Sequence, residues 1–566
     1  MTASRLWRAS WPLLAVGAGC VAVLLWRIVA EAWVNDDALI SFRYADNLAS
    51  GHGLVYNPGE RVEGFSNPLW TVLLVPFAAA GADLFTVSIV LGAVCAVAEL
   101  GCLLWVVRRL TGSLAAAAVA GALFATDRIV AVWSTGGLET SSYGLLITAV
   151  FALAVRHHAA PVRGARAAGL LLVALAATRP EGALAAPIYL GYVLALNRRD
   201  GAVVRLLNWC VPIVALLLAA RYAYYGDLLP NTYYAKSAGV PWDGIGLTYD
   251  MQFARRLGWI DLHVLAWIAV LGAAIAATRT RREPAAPEPG RPAPVPAALV
   301  ALGIVVLQLG IVAWEGGDYM NDFRFLRPIM GLLYLAVGVL VWRATSARPV
   351  ALRAAAWIAV AALVCSHLVR QGAAVPIAPD APPSAGHKRG VGATRAAVAT
   401  FAAALARIAE PEDALVVDRA GARGYGHRHR AIDATGLVSR DLERDFVLRD
   451  AFDEHGRRER FPGHTRWPRV EMMQREQLAF IFPTIMRLGP EIPAVDASSP
   501  RRRREYPFVH VTMPLGDGEF LRFFTTWDEG EIAARAARHR VQLCYQRAFG
   551  PLRCAGPPPP DRWGGG

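Results

Sequence analysis

Two adjacent aspartates, Asp36 and Asp37, follow directly on the first long apolar run, in the string NDDALISFRYADN. A carboxylate there borders hydrocarbon, where lost solvation disfavours its ionised form. Adjacent carboxylates in such a place suit three tasks: taking a proton from a hydroxyl, holding a divalent metal, or capping the helix that follows. The pair alone leaves all three open, because Asp before Ala-Leu-Ile-Ser is also an ordinary helix start. Polar groups recur after other apolar runs: Glu139 in STGGLET, Asp227 and Asn231 in YYGDLLPNTYYAKS, and Asp318 in GGDYMNDFRFLRP. Paired glycines shortly before Glu139 and Asp318 permit unusual backbone angles.

Apolar runs must position these groups. The chain of 566 residues is 55% hydrophobic and only 18% charged, with a mean hydropathy of +0.34, which excludes a disordered chain, a collagen or a disulfide scaffold. About eleven runs fit membrane spans, at 11–30, 87–107, 113–131, 141–155, 167–178, 181–196, 207–224, 258–277, 297–314, 327–343 and 351–369. The first lacks a small-residue cleavage site and reads as a retained span rather than a signal peptide. With the N-terminus cytoplasmic, Arg108, Arg109, Arg156, Arg163, Arg166, Arg198, Arg199, Arg279, Arg281, Arg282, Arg343 and Arg348 fall in inside loops, the positive-inside pattern. The acidic residues Asp36, Asp37, Glu60, Glu63, Glu139, Glu181, Asp227, Asp318 and Asp322 then lie outside. Topology thus accounts for much of the net charge of +13, and nucleic acid is not expected as a partner. Lysine occurs only at Lys236 and Lys388, so an arginine in place of lysine carries no functional signal here.

The expected architecture is an α-helical polytopic membrane protein, residues 1–370, followed by an extracytoplasmic α/β domain, 371–555, and a disordered tail, 556–566. In the long first outer loop, 38–48 and 67–80 have the patterning of interfacial helices. In the tail, an alanine-rich helix near 393–409 precedes strands at 414–418, 506–526 and 540–546. The Pro-rich basic stretch 278–297 reads as a cytosolic linker. Five of the seven cysteines lie in apolar runs, whereas Cys544 and Cys554 stand in the tail, where an oxidising compartment would permit a disulfide. His427, His429 and His464 tempt a metal reading, but HRHR reads better as a solvated basic strand edge.

The ordered strings DDALISFRYADNLASGHGLVYNPGERVEGFSNPLW, STGGLET, TRPEG, YYGDLLPNTYYAKSAG and GGDYMNDFRFLRPIM, spread over about residues 30–340, resemble the C-type integral membrane glycosyltransferases (GT-C fold) that use polyprenyl-phosphate sugars. The likeness is nearest to their actinobacterial arabinofuranosyltransferase-like branch and more distant to protein mannosyltransferases and aminoarabinose transferases. It implies a multi-pass cell-membrane transferase acting in cell-wall biogenesis, with Asp37 as catalytic base and Asp36 supporting it. The lipid phosphate leaves already ionised, so one base is sufficient, and either stereochemical outcome stays open. The donor phosphate calls for cations, and Lys236, Arg324, Arg327 and Arg43 are the candidates, with Arg179 a further one. Interfacial anchoring is the alternative for Lys236, and a local ion pair for Arg324. Glu139, Asp227, Asn231, Tyr233 and Asp318 are candidates for sugar contacts, although tyrosines at a membrane edge are ordinarily belt residues. No cofactor is required; a divalent metal is admitted, but no spacing fixes its ligands. The expected partners are a polyprenyl-phosphate sugar donor, a cell-envelope glycan acceptor and membrane lipids. Arabinofuranosyl transfer to a cell-wall glycan is the first reading, and mannosyl transfer to protein or lipoglycan the second. Lipid or solute transport is a third reading, disfavoured because charges gather at one face and no internal repeat is visible.

Overall fold

The structure is a computed structural model. It describes residues 3–158, 161–182, 200–237, 245–258, 261, 268, 271–272, 292–318, 320, 322–346, 350–371, 385–417, 420–439, 446–448, 466–468, 478–487, 508–516, 519–547 and 551–557. Among these, six helices are long and apolar enough to cross a membrane, within Trp11–Ala30, Leu84–Thr111, Arg205–Tyr225, Pro294–Glu315, Arg324–Thr345 and Val350–Arg370. Nine of the eleven apolar runs coincide with described helices. The runs at 181–196 and 258–277 lie almost wholly outside the described residues, as does the linker at 278–297.

Local chemistry explains where the helices start and stop. Helix α1 (Ala3–Ala30) is followed by α2 (Asp36–Ala49), whose N-cap Asn35 accepts from the Asp37 N–H. Helix α3 (Pro68–Ala79) begins with proline, and Val72, Leu73 and Phe77 on it stay exposed for lipid. The span α4 (Leu84–Thr111) is capped by Asp83 and ended by Gly112 in the left-handed conformation, φ 69°. The run expected at 113–131 divides into α5 (Leu114–Thr126) and α6 (Arg128–Trp133), because Asp127 caps α6 by accepting from Ile129 N and Val130 N. Then come α7 (Thr140–Arg156), α8 (Pro161–Thr178), α9 (Asp200–Tyr225), α10 (Asn231–Ser237), α11 (Ile245–Arg256) and α12 (Pro294–Glu315). A 3-10 turn (Arg324–Ile329) leads into α13 (Met330–Thr345) and α14 (Val350–Arg370).

The tail forms α15 (Ala385–Ala406), broken at Gly390, and a seven-stranded sheet. Its strands are β1 (Ala414–Val417), β2 (Arg430–Asp433), β5 (Phe480–Arg487), β6 (Val509–Gly516), β7 (Glu519–Thr525), β8 (Leu543–Gln546) and β9 (Arg553–Ala555), in spatial order β2-β1-β5-β7-β6-β8-β9. Strands β3 (Phe446–Leu448) and β4 (Arg466–Pro468) pair separately. Strand β1 is parallel to β2 and β5, and the other pairings are antiparallel. Helix α16 (Glu529–His539) packs beside β8 and β9. Cys544 and Cys554 face each other across β8 and β9 and form a disulfide.

The first outer loop and the tail are not separate layers. Ile40, Tyr44, Tyr56 and Phe65 of the loop share one buried cluster with Phe401, Leu405, Leu415, Val438 and Phe480 of the tail. The α2 residues expected at an interface are therefore enclosed by protein, with Leu39, Phe42 and Tyr44 fully buried.

Candidate active site

Asp37 lies in the first turn of α2, and its Oδ2 accepts from Nη1 of Arg324 at 2.8 Å. The same guanidinium meets Asp318 through Nε at 2.8 Å and Nη2 at 3.3 Å. Arg324 and Asp318 are enclosed, at 7% and 2% side-chain exposure, while Asp37 keeps 34%. Of the three, Asp37 is thus the group an incoming hydroxyl can reach.

A strained turn aims Arg324. Gly316 and Gly317 have φ of 89° and 75°, and Asp322 and Phe323 follow at 61° and 52°, a region that costs a non-glycine residue about 1–3 kcal/mol. Their surroundings hold them there. Trp133 Nε1 donates to the Asp322 carbonyl at 2.6 Å, and Arg128 Nε approaches the Asp322 carboxylate at 3.3 Å. Burial raises the Asp322 pKa, opposed by Arg128 and Arg256. Phe323 is fully buried, edge-on to Tyr249 and Phe253. A Cβ at Gly317 would lie 2.8 Å from the Tyr249 side chain, so the turn needs glycine there both for its angle and for its room.

Beside this triad lies a second buried polar group. Glu139 pairs with Arg179 at 2.8 Å and accepts from Asn67 Nδ2 at 2.7 Å. Asn67 in turn accepts from Ser41 and Thr71, and Arg179 also pairs with Glu181 at 2.7 Å. The guanidinium groups of Arg324 and Arg179 both lie against the Phe325 ring, at 4.8 and 5.0 Å from its centroid. The two cations and the carboxylates Asp37, Asp318 and Glu139 thus line one region beside α2.

Other candidates are placed elsewhere. Arg43 is not near this region: it donates to the carbonyls of Tyr56, Gly424 and His429 and to Asn57 Oδ1, which consumes its guanidinium in joining loop to tail. Arg327 is enclosed within the helix bundle and bonded to Glu99 Oε2 at 2.5 Å, both side chains being 0% exposed. One turn beyond Arg324, it lies in the buried interior and not beside Asp37. Asp36 accepts from the N–H groups of Gly421 (3.3 Å) and Ala422 (2.9 Å), and Asn231 donates to the carbonyls of Gly436 and Leu437, so both dock the tail. Asp227 is half-buried near Glu63, whose pKa burial raises against the pull of Arg221. Tyr233 is exposed and edge-on to Tyr234. The Lys236 side chain lies outside the described residues, as does His464.

The HRHR segment is a strand edge in part: Arg428 is exposed and Arg430 opens the edge strand β2, but the two histidines turn inward. The His427 ring bonds the Arg423 carbonyl at 2.7 Å and lies tilted beside the Phe401 and His429 rings. Burial, then nearby Arg43, pushes its pKa down to about 3. Among the described residues no cluster of three or more His, Cys, Asp or Glu is arranged to hold a metal.

Sequence reasoning missed Asn67, Ser41, Arg128 and Trp133. Asn67 stands before Pro68-Leu-Trp, an available sign of a helix start, but nothing local pairs it with Glu139, 72 residues away.

No protein-family model matches the chain. It is 31% identical over 353 residues to the terminal beta-(1->2)-arabinofuranosyltransferase of Mycobacterium tuberculosis, which covers 56% of this chain and 54% of that one. It is 26% identical over 349 residues to the protein of the same name from Corynebacterium glutamicum, covering 57% of this chain and 50% of that one. The chain thus spans about half the length of the curated relatives it matches.

Proposed function

We propose that this protein is a multi-pass membrane glycosyltransferase that moves an arabinofuranosyl unit from a polyprenyl-phosphate donor to a cell-envelope glycan on the extracytoplasmic face. The observation that carries the reading is the partly exposed Asp37 carboxylate at the start of α2, held 2.8 Å from the enclosed Arg324. The names of the two arabinofuranosyltransferases, with their β-(1→2) linkage, support the sugar. The cystine between β8 and β9 supports an oxidising compartment for the tail, and hence for the loop packed on it.

In this reading the acceptor hydroxyl attacks the anomeric carbon while Asp37 takes its proton. The bond from that carbon to the phosphate oxygen breaks, and the lipid phosphate leaves with the electron pair. Arg324 lies next to Asp37 and supplies the positive charge on which that phosphate settles, with Arg179 across the Phe325 ring as a second cation. Asp318 pairs with the guanidinium, 2.8 Å from Nε and accepting from Nη2 at 3.3 Å, so Arg324 is oriented before the donor arrives. Glu139 and Asn67 form the adjacent polar wall, suited to sugar hydroxyls.

The test is transfer by purified protein, wild type beside Asp37→Asn, with polyprenyl-phosphate arabinofuranose and mannose donors and an arabinan oligosaccharide acceptor. Transfer of arabinose alone, reduced about 10²–10⁴-fold by Asp37→Asn with donor binding kept, is expected. Transfer of mannose would change the sugar, and full activity of Asp37→Asn would remove the base.

A further inference from the structure

We propose that the tail domain positions the catalytic aspartate, acting through Asp36 as a positioning residue. The inference rests on the reading of Asp37 as the base. Helix α2 divides its work by face. Asp36, Ile40, Arg43 and Tyr44, spaced i, i+4, i+7 and i+8, form one stripe. Each member of that stripe meets the tail or its shared core. Asp36 accepts from Gly421 N and Ala422 N, Arg43 donates to the Gly424 and His429 carbonyls, and Ile40 and Tyr44 lie in the cluster shared with the sheet. Asp37 and Ser41 lie one residue round the helix from that stripe, toward Arg324 and toward Asn67.

The tail segment that grips Asp36 is fitted closely. A Cβ on Gly421 would sit 1.8 Å from the Asp36 carbonyl oxygen, and one on Gly424 would sit 1.6 Å from the Tyr56 hydroxyl. Only glycine lets this turn reach the helix. The turn is further anchored by Tyr56, whose hydroxyl donates to the Ala420 carbonyl at 2.5 Å, and by Phe42 of α2 and Phe85, which meet the Tyr425 ring. The rotation of α2, and with it the direction of Asp37, is therefore set by backbone amides about 385 residues further along the chain. A misplacement of about 1 Å at a reacting group can cost roughly a hundredfold in rate.

The experiment uses the full-length protein in detergent and reads two quantities: amide hydrogen exchange over residues 37–41, and kcat with donor KM for polyprenyl-phosphate arabinofuranose. The variants are Gly421→Ala, Asp36→Ala, Asp36→Asn and Asp37→Asn. Gly421→Ala matters most, because it leaves the sequence of α2 intact and disturbs only the grip. We expect Gly421→Ala and Asp36→Ala to speed exchange in the first turn of α2 at least tenfold. They should lower kcat roughly 10–100-fold with donor KM within twofold of wild type. Asp36→Asn keeps an oxygen for the Ala422 amide and should recover to within about threefold of wild type, unlike Asp37→Asn. Wild-type exchange and kcat in Gly421→Ala would overturn the inference, as would an Asp36→Asn variant as inactive as Asp37→Asn. If the wild type transfers no sugar, the functional reading falls by itself, and the exchange data alone decide whether the tail fixes α2.

Discussion

Glu99 in α4 and Arg327 at the foot of α13 form an ion pair with both side chains at 0% exposure, 2.5 Å apart. Thr148 adds a hydroxyl 3.4 Å from the second Glu99 oxygen. The site has no spare room: a Cβ at Gly144 would lie 2.3 Å from Arg327 Nη1, and one at Gly331 would lie 2.6 Å from Glu99 Oε1. Among the described residues, Nε and Nη2 of Arg327 lack partners. Either charge alone is therefore stranded in a dry interior, and removal of one partner should cost about 3–5 kcal/mol. Replacing both with hydrophobic groups of similar volume, Glu99→Leu with Arg327→Met, should be neutral or stabilising. A double-mutant cycle is then expected to show a coupling of about 3 kcal/mol or more. The assay is unfolding in mixed micelles on Glu99→Leu, Arg327→Met and the double variant, with donor KM measured on the double. Single-variant costs below about 1 kcal/mol would refute the claim of a dry, mutually dependent pair. A severalfold rise of donor KM in a well-folded double variant would refute the assignment of Arg327 to structure rather than to the donor phosphate.

Arg324→Lys should lower kcat/KM at least tenfold, because an ammonium cannot span Asp37 and Asp318 as the guanidinium does; unchanged kinetics would show that charge alone suffices. His427 and His510 are each held near a pKa of about 3, chiefly by burial, against about 6.5 in the unfolded chain. The unfolded state binds their protons first as pH falls, so their contribution is complete above about pH 6.5 and declines from there toward pH 3. Thermal unfolding should show a lower Tm at pH 5 than at pH 7, with the difference reduced in His427→Gln and His510→Gln; an equal pH response in these variants would contradict the sign. The Cys544–Cys554 link closes a loop with a sequence separation of 10, and Cys544→Ser should cost the tail about 2–3 kcal/mol, read as a drop in its unfolding midpoint. An undiminished midpoint would mean that the β8–β9 pairing stands without the cystine.

Much of the fold was legible because it is set by local forces. Apolar runs of span length, a capping Asn or Asp, a starting proline and an ending glycine all act within a few residues, and they mark α1 to α5, α7 and α12 to α14 in the sequence itself. The alternation of the tail strands was visible for the same reason, whereas the sequence only permitted a Cys544–Cys554 disulfide and the β8–β9 pairing made it. Of the candidate residues named from the sequence, Asp37, Arg324, Asp318 and Glu139 lie in one region of the structure.

The division of labour among those types was not legible. Asp36 and Asp37 are neighbours with the same side chain, yet about 100° of helix rotation sends one to the tail amides and the other to Arg324. Arg43 and Arg327 are arginines beside an outer boundary by sequence, but one is consumed by carbonyls of the tail and the other by a carboxylate on α4. Those outcomes depend on contacts spanning hundreds of residues, and long-range packing leaves no local periodicity to read. Composition, hydropathy and charge bias determined by themselves that this chain is built of helices in a membrane with a folded tail, because the bilayer acts on every residue alike. Which carboxylate meets which cation was decided by the tertiary structure alone, since only packing converts equal side chains into unequal positions.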